Sequence, residues 1–222
     1  SLLLDAQSSD LPPAEQTTTS IQRELNASND SNWVALPKPE ETLWGYQGSL
    51  HLCDMSYKSL NSKEWGHFIS LQEEQGHKVH VFAAPYEEKS GYVIEKADGT
   101  VTIVFKGTNN LQNVLTDLNA FWRKDPHFGL TAHQGFLNHY QSLQPGLMAI
   151  LNSLSEKRQE PLSITVLGHS LGGATAHLAT YALSNHTISR ELEGFEELHA
   201  PFKMKTVTTF GAPMAFMAES SD

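Results

Sequence analysis

The sequence predicts an α/β fold, a mostly parallel sheet flanked by helices, and three observations carry the prediction. Apolar strand-like runs alternate with helix-like stretches from Lys78 onward. Ala97-Asp98-Gly99 reads as a hairpin turn, which puts an antiparallel edge ahead of the parallel part. Gly168-His169-Ser170-Leu171-Gly172 joins the apolar run Ser163 to Leu167 to a small-residue helix through two glycines. A strand, helix, strand, helix, strand order implies right-handed crossovers and a site at the carboxyl ends of the strands.

Each element has its own warrant. Residues 1–47 lack periodicity and are rich in Ser, Thr, Pro, Asn and Asp, so they are expected to be an acidic, low-complexity tail or wrapping segment, with Trp33, Val34, Leu36 and Trp44 as anchors. The domain is expected over residues 48–222, opening with a loosely patterned helix through Leu50, Leu52, Cys53, Met55, Tyr57 and Leu60. Lys78 to Ala84, Gly91 to Lys96 and Thr100 to Phe105 read as strands. Gln134 to Ser155 carries Leu143, Leu147, Ile150, Leu151 and Leu154 on one helical stripe, with a bend or interruption expected at Pro145. Gly173, Ala174, Ala176, Leu178, Ala179 and Ala182 supply a helix able to approach a sheet closely, and Lys203 to Phe210 is a further strand. The Glu-rich stretch from Asn185 to Pro201 reads as a solvated insertion.

Composition excludes several function classes. A chain of 222 residues suffices for one domain with a core and a tail. Its formal net charge of −10 argues against a nucleic-acid partner, which calls for a basic stripe. No apolar run approaches the roughly 18 residues of a transmembrane helix. The one cysteine, Cys53, rules out an intrachain disulfide and reads as a small buried hydrophobe; cytoplasm and bacterial secretion both remain open. The missing initiator Met suggests a processed chain or an internal piece. His77 with His80, or His133 with His139, lack the carboxylate or cysteine cluster a metal needs, so neither a metal nor a cofactor is expected.

The chemistry centres on Ser170. A serine on a strained strand-to-helix turn is exposed at the top of its strand, but its hydroxyl needs a base, an acid to orient that base, and donors for an oxyanion. The Leu171 N–H, at the start of the helix, is one donor, and helix geometry favours negative charge there. Thr108, at the exit of the strand Val104-Phe105-Lys106-Gly107-Thr108, offers an N–H and a hydroxyl as the second. Each such donor is worth on the order of 3 kcal/mol in a transition state. Leu111, Val114, Leu115 and Leu118 fall at i, i+3, i+4 and i+7, which suits a short amphipathic helix beside the site, a spacing shared by a helix fixed in the core.

Phe105-Lys106-Gly107-Thr108, Leu115-Thr116-Asp117-Leu118, His133-Gln134-Gly135-Phe136, Gly168 to Ala174, and Thr209 to Pro213 occur in the order seen in class 3 lipases, and from Gly48 to Pro213 the chain resembles that fungal lipase-like family. The resemblance implies an α/β-hydrolase sheet, Ser170 as nucleophile, Thr108 and Leu171 as the oxyanion hole, and Leu111, Val114, Leu115 and Leu118 on a lid that opens in transient contact with a lipid surface. It implies hydrolysis of a lipid ester through an acyl-enzyme. Lys106 stands where the family usually has arginine, and Val114 where many members have tryptophan. The family's catalytic acid and histidine follow the strand after the elbow by tens of residues. Both are therefore expected beyond Asp222, with the sheet truncated at its C-terminal side and this chain alone nearly inactive. His169 and His133 are read as packing residues. Two other readings stay open, a lipase-like binding or regulatory module without catalysis, and an esterase for soluble esters such as feruloyl esters.

Overall fold

A computed structural model of the chain describes residues 39–108, 122–125, 130–192 and 195–217. Leu43–Asp222 forms a compact unit by itself. Helix α1 spans Pro39–Tyr57, starting upstream of the position where the apolar pattern tightens. Proline suits the first helical turn, where its missing N–H breaks no intrahelical bond. Helix α2, Lys63–Glu74, was not evident in the sequence; Ser62 caps it by accepting the Trp65 N–H at 3.2 Å. Only Trp65 and Phe68 on this helix are buried, too few apolar positions to make a clear period.

Strands β1 (Lys78–Phe82), β2 (Gly91–Glu95) and β3 (Val101–Phe105) form the expected antiparallel edge. The Asp98-Gly99 turn closes as its chemistry predicts: Gly99 takes φ +85, and the Asp98 carboxylate accepts the Thr100 N–H at 2.9 Å. Strands β4 (Trp122–Asp125) and β5 (Leu130–His133) are short, and lead into helix α3, Gln134–Ser155. Of the bend or interruption expected at Pro145, the interruption does not occur: α3 runs through the proline, because Leu143, Leu147, Leu151 and Leu154 bury both halves against one core and outweigh the lost N–H.

Strand β6 is Leu162–His169, helix α4 Leu171–Ser184. The Glu-rich stretch forms a hairpin of its own, β7 (Ile188–Leu192) with β8 (Phe195–His199), where a plain insertion was expected. Strand β9 is Phe202–Phe210, and the two-residue β10, Phe216–Met217, pairs with β5 in a small sheet of order β10-β5-β4.

The main sheet has the order β1-β2-β3-β6-β9, antiparallel up to β3 and parallel from β3 to β9. Side chains alternate across it. Ile103, Phe105, Ile164 and Val166 face a core shared with α3 and α4, while Tyr92, Ile94, Val104 and Leu167 face one shared with Cys53, Met55, Trp65 and Phe68 of α1 and α2. Helices thus cover both faces, and burial raises the Cys53 thiol to about 12. Facing Phe105 on β3 with Gly168 on β6, and His169 with Phe210 on β9, brings three strand ends to one rim.

Candidate active site

Ser170 sits at that rim, between β6 and α4. Its backbone takes φ 57, ψ −126, and Tyr86 is the other non-glycine with positive φ among the described residues. Such a conformation costs of order 1–3 kcal/mol and persists only where its surroundings impose it. Three contacts impose it here. The Ser170 N–H donates to the Phe210 carbonyl at 2.8 Å, and the Ser170 carbonyl accepts from Gly173 N–H at 2.9 Å and Ala174 N–H at 3.3 Å. A Cβ on Gly168 would strike the Gly172 carbonyl and come within 2.7 Å of Gly173 N. A Cβ on Gly172 would strike the Phe105 carbonyl oxygen and lie 2.9 Å from the Lys106 carbonyl carbon and 3.0 Å from Gly107 N. A Cβ on Gly173 meets mainly another side chain, Ala212 Cβ at 2.5 Å.

A serine at a helix N-cap ordinarily spends its hydroxyl on the amides of the first turn. Ser170 does not; its Oγ makes no cap and has no hydrogen-bond partner among the described residues, and the residue is buried where an exposed serine was expected, because its backbone is bonded between β9 and the first turn of α4. The hydroxyl is thus kept back from the structure, at a place where unpaired amides and the helix dipole favour negative charge. Leu171 is the first residue of α4. Gly107 touches the elbow through His169 and Gly172, so Thr108 follows directly on the strand exit packed against it.

Three of the described histidines hold other contacts. His169 directs Nδ1 to the Tyr57 hydroxyl at 2.8 Å, and His177 Nε2 meets Thr209 Oγ1 at 3.2 Å. His133 lies between Trp122, edge-on at 5.6 Å, and Phe136 at 4.7 Å. Burial holds His139 and His177 below the usual histidine value, favouring the neutral form. No base therefore reaches Ser170 Oγ among the described residues. Leu111, Val114, Leu115 and Leu118, with Asp117, His127 and Asp222, lie outside the described residues.

Two features had no motif to announce them. The Tyr57 contact pairs residues 112 positions apart. Lys89, a buried lysine, donates to the Met55 and Lys58 carbonyls at 3.1 and 2.5 Å and stands 3.6 Å over the Trp65 ring. Among the described residues, no three His, Cys, Asp or Glu gather as a metal site would require, and no helix is long and apolar enough to cross a membrane.

The family model of class 3 lipases matches residues 102–220, more than half of the chain. The Rhizomucor miehei lipase is 37% identical over 89 residues, 39% of this chain and 24% of that protein. The Rhizopus niveus lipase is 32% identical over 112 residues, 47% of this chain and 27% of its own length. This chain thus spans about a quarter of the curated relatives it matches. In fold, it is similar to a deletion mutant of the Rhizomucor miehei lipase propeptide complex, with a TM-score of 0.59 at 23% identity, covering 82% of this chain and 55% of that one. The Rhizopus microsporus var. chinensis lipase gives a TM-score of 0.57 at 20% identity over 82% of this chain and 61% of its own.

Proposed function

The chain belongs to the class 3 lipase family, and from that premise we propose that it carries the nucleophile and oxyanion-binding half of a serine carboxylic-ester hydrolase acting on lipid esters. The observation behind this reading is the buried, uncapped hydroxyl of Ser170 on a strained backbone at the start of α4. In the proposed reaction, Ser170 Oγ attacks the ester carbonyl carbon, and the carbonyl oxygen takes the negative charge between the N–H groups of Leu171 and Thr108. The serine proton passes to a base from outside the described residues and on to the departing alcohol. Water then adds to the acyl-enzyme, and the acid leaves with Ser170 restored. The apolar spacing of Leu111, Val114, Leu115 and Leu118 supports a lid role for that segment: about 1.5–3 kcal/mol per buried aliphatic side chain couples its opening to contact with a lipid surface.

The test uses the chain and Ser170→Ala with p-nitrophenyl esters of short and long fatty acids, with and without added imidazole. Loss of a triad base costs roughly 10⁶-fold in turnover, so Ser170-dependent hydrolysis is expected to be small, to rise with imidazole as a surrogate base, and to favour the fatty esters. Equal rates for the chain and Ser170→Ala at every imidazole concentration would leave the non-catalytic reading standing. A preference for a soluble feruloyl ester would move the substrate class instead.

A further inference from the structure

Helix α1 ends at Tyr57, whose hydroxyl lies where two segments of the site meet. It hydrogen-bonds His169 Nδ1 at 2.8 Å, with the rings edge-on at 5.9 Å. The same hydroxyl fills the space that a Cβ on Gly107 would take, and that Cβ would also strike the His169 carbonyl. Tyr57, Gly107 and His169 therefore form a three-way contact, one residue away from Ser170 on one side and from Thr108 on the other. The end of α1 is itself held firmly. Lys89 Nζ grips the Met55 and Lys58 carbonyls on either side of Tyr57, and Ser56 Oγ donates to the Cys53 carbonyl at 2.6 Å. Burial raises the Tyr57 phenol above its ordinary value, so it stays a hydrogen-bonding hydroxyl at neutral pH.

Building on the hydrolase reading, we propose that Tyr57 is a positioning residue, whose hydroxyl braces His169 of the elbow against the exit of β3 and so sets the spacing between Ser170 Oγ and the oxyanion donor at Thr108. The bond defines what is lost with the hydroxyl. Without it, the edge-on ring contact is what still ties the His169 ring to α1 among the described residues, and the elbow and the strand exit are held less firmly relative to one another. A displacement of about 1 Å can cost on the order of 10²-fold in rate, so partial loosening is expected to cost about tenfold.

The reaction to follow is phosphonylation of Ser170 in the whole chain by a p-nitrophenyl alkylphosphonate. The Ser170 Oγ–P bond forms, p-nitrophenolate leaves, and the serine proton goes to buffer or added imidazole. Intact mass gives the rate, and Ser170→Ala gives the background. Tyr57→Phe is expected to slow labelling about tenfold while lowering Tm by no more than about 4 °C, the effect of one lost hydrogen bond in a protein of this size. Tyr92→Phe, which removes a hydroxyl bond to the Leu52 carbonyl of α1 and leaves the Tyr57 junction in place, is expected to lower Tm by a similar amount with labelling within about twofold of wild type. The ring nitrogens of His169 are expected to report one tautomer in wild type and a mixture in Tyr57→Phe by ¹⁵N NMR. Labelling of Tyr57→Phe within twofold of wild type, unchanged His169 signals, or equal slowing by Tyr92→Phe would each overturn the proposal while leaving the hydrolase reading intact. Failure of wild type to label above the Ser170→Ala background would instead remove the hydrolase reading and this proposal with it.

Discussion

At the scale of single residues, Ser170, the proposed nucleophile, sits on a backbone that is held strained at the expense of stability. Its φ of 57 is one that a Cβ makes costly and a glycine adopts freely. Ser170→Ala keeps the Cβ and the strain; Ser170→Gly removes both along with the hydroxyl. We therefore expect Ser170→Gly to be more stable than Ser170→Ala by about 1 kcal/mol in urea unfolding, even after the greater chain entropy that glycine loses on folding. Equal stability would mean that no strain is stored there. Ser170 was legible in the sequence because a tight turn needs glycines at set places, and Gly168 and Gly172 mark them. Tyr57 was not, since a tyrosine at a helix end carries no local signal and its partner is brought to it only by the fold.

At the scale of elements, the sequence disclosed those whose pattern is imposed by burial and concealed those held by a few contacts. β2 and β3 are buried nearly throughout and stood out as apolar runs; α2 buries Trp65 and Phe68 and did not. β4, β5 and β10 were too short to show a period. The end of α1 depends on Lys89, which burial, aided by the charge of Lys106, lowers from 10.5 to about 8. The sign follows from proton binding. Between pH 8 and 10.5 the unfolded lysine holds its proton while the folded one has released it, so this group adds stability as pH rises through that window. Below pH 8 both states are charged and the folded state bears the full cost of burying the ammonium. Lys89→Met leaves the Met55 and Lys58 carbonyls without their donor and should cost about 1–3 kcal/mol at pH 7. The wild-type advantage should then widen from pH 8 to 10.5 in parallel urea titrations; parallel curves would refute the assignment.

At the scale of the molecule, the hairpin turn, the order of strands and the helix following the elbow together were enough to read the sheet, because right-handed crossovers leave few alternatives. What lies along β9 was not readable. β9 ends the main sheet, with no partner on its outer side among the described residues, and Val207 is 38% exposed on it. An edge strand of nine residues is a template for pairing with another chain. Concentrated solutions of this chain should therefore self-associate, and Val207→Lys should reduce that association in sedimentation velocity; identical profiles would place the contact elsewhere.

The glycines around the elbow differ in what could ever make room for a side chain. At Gly168 and Gly172 the obstacle is main chain, the carbonyl and amide of the α4 start in one case and the exit of β3 in the other. No second substitution can retract a peptide group, so these two positions are closed whatever residues surround them. Gly173 faces chiefly the methyl of Ala212, an obstacle that a glycine at 212 would remove. The elbow thus combines positions beyond the reach of compensation with one that can exchange its methyl with a neighbour, and in a lineage of such chains drift should be found at Gly173 and Ala212 as a pair.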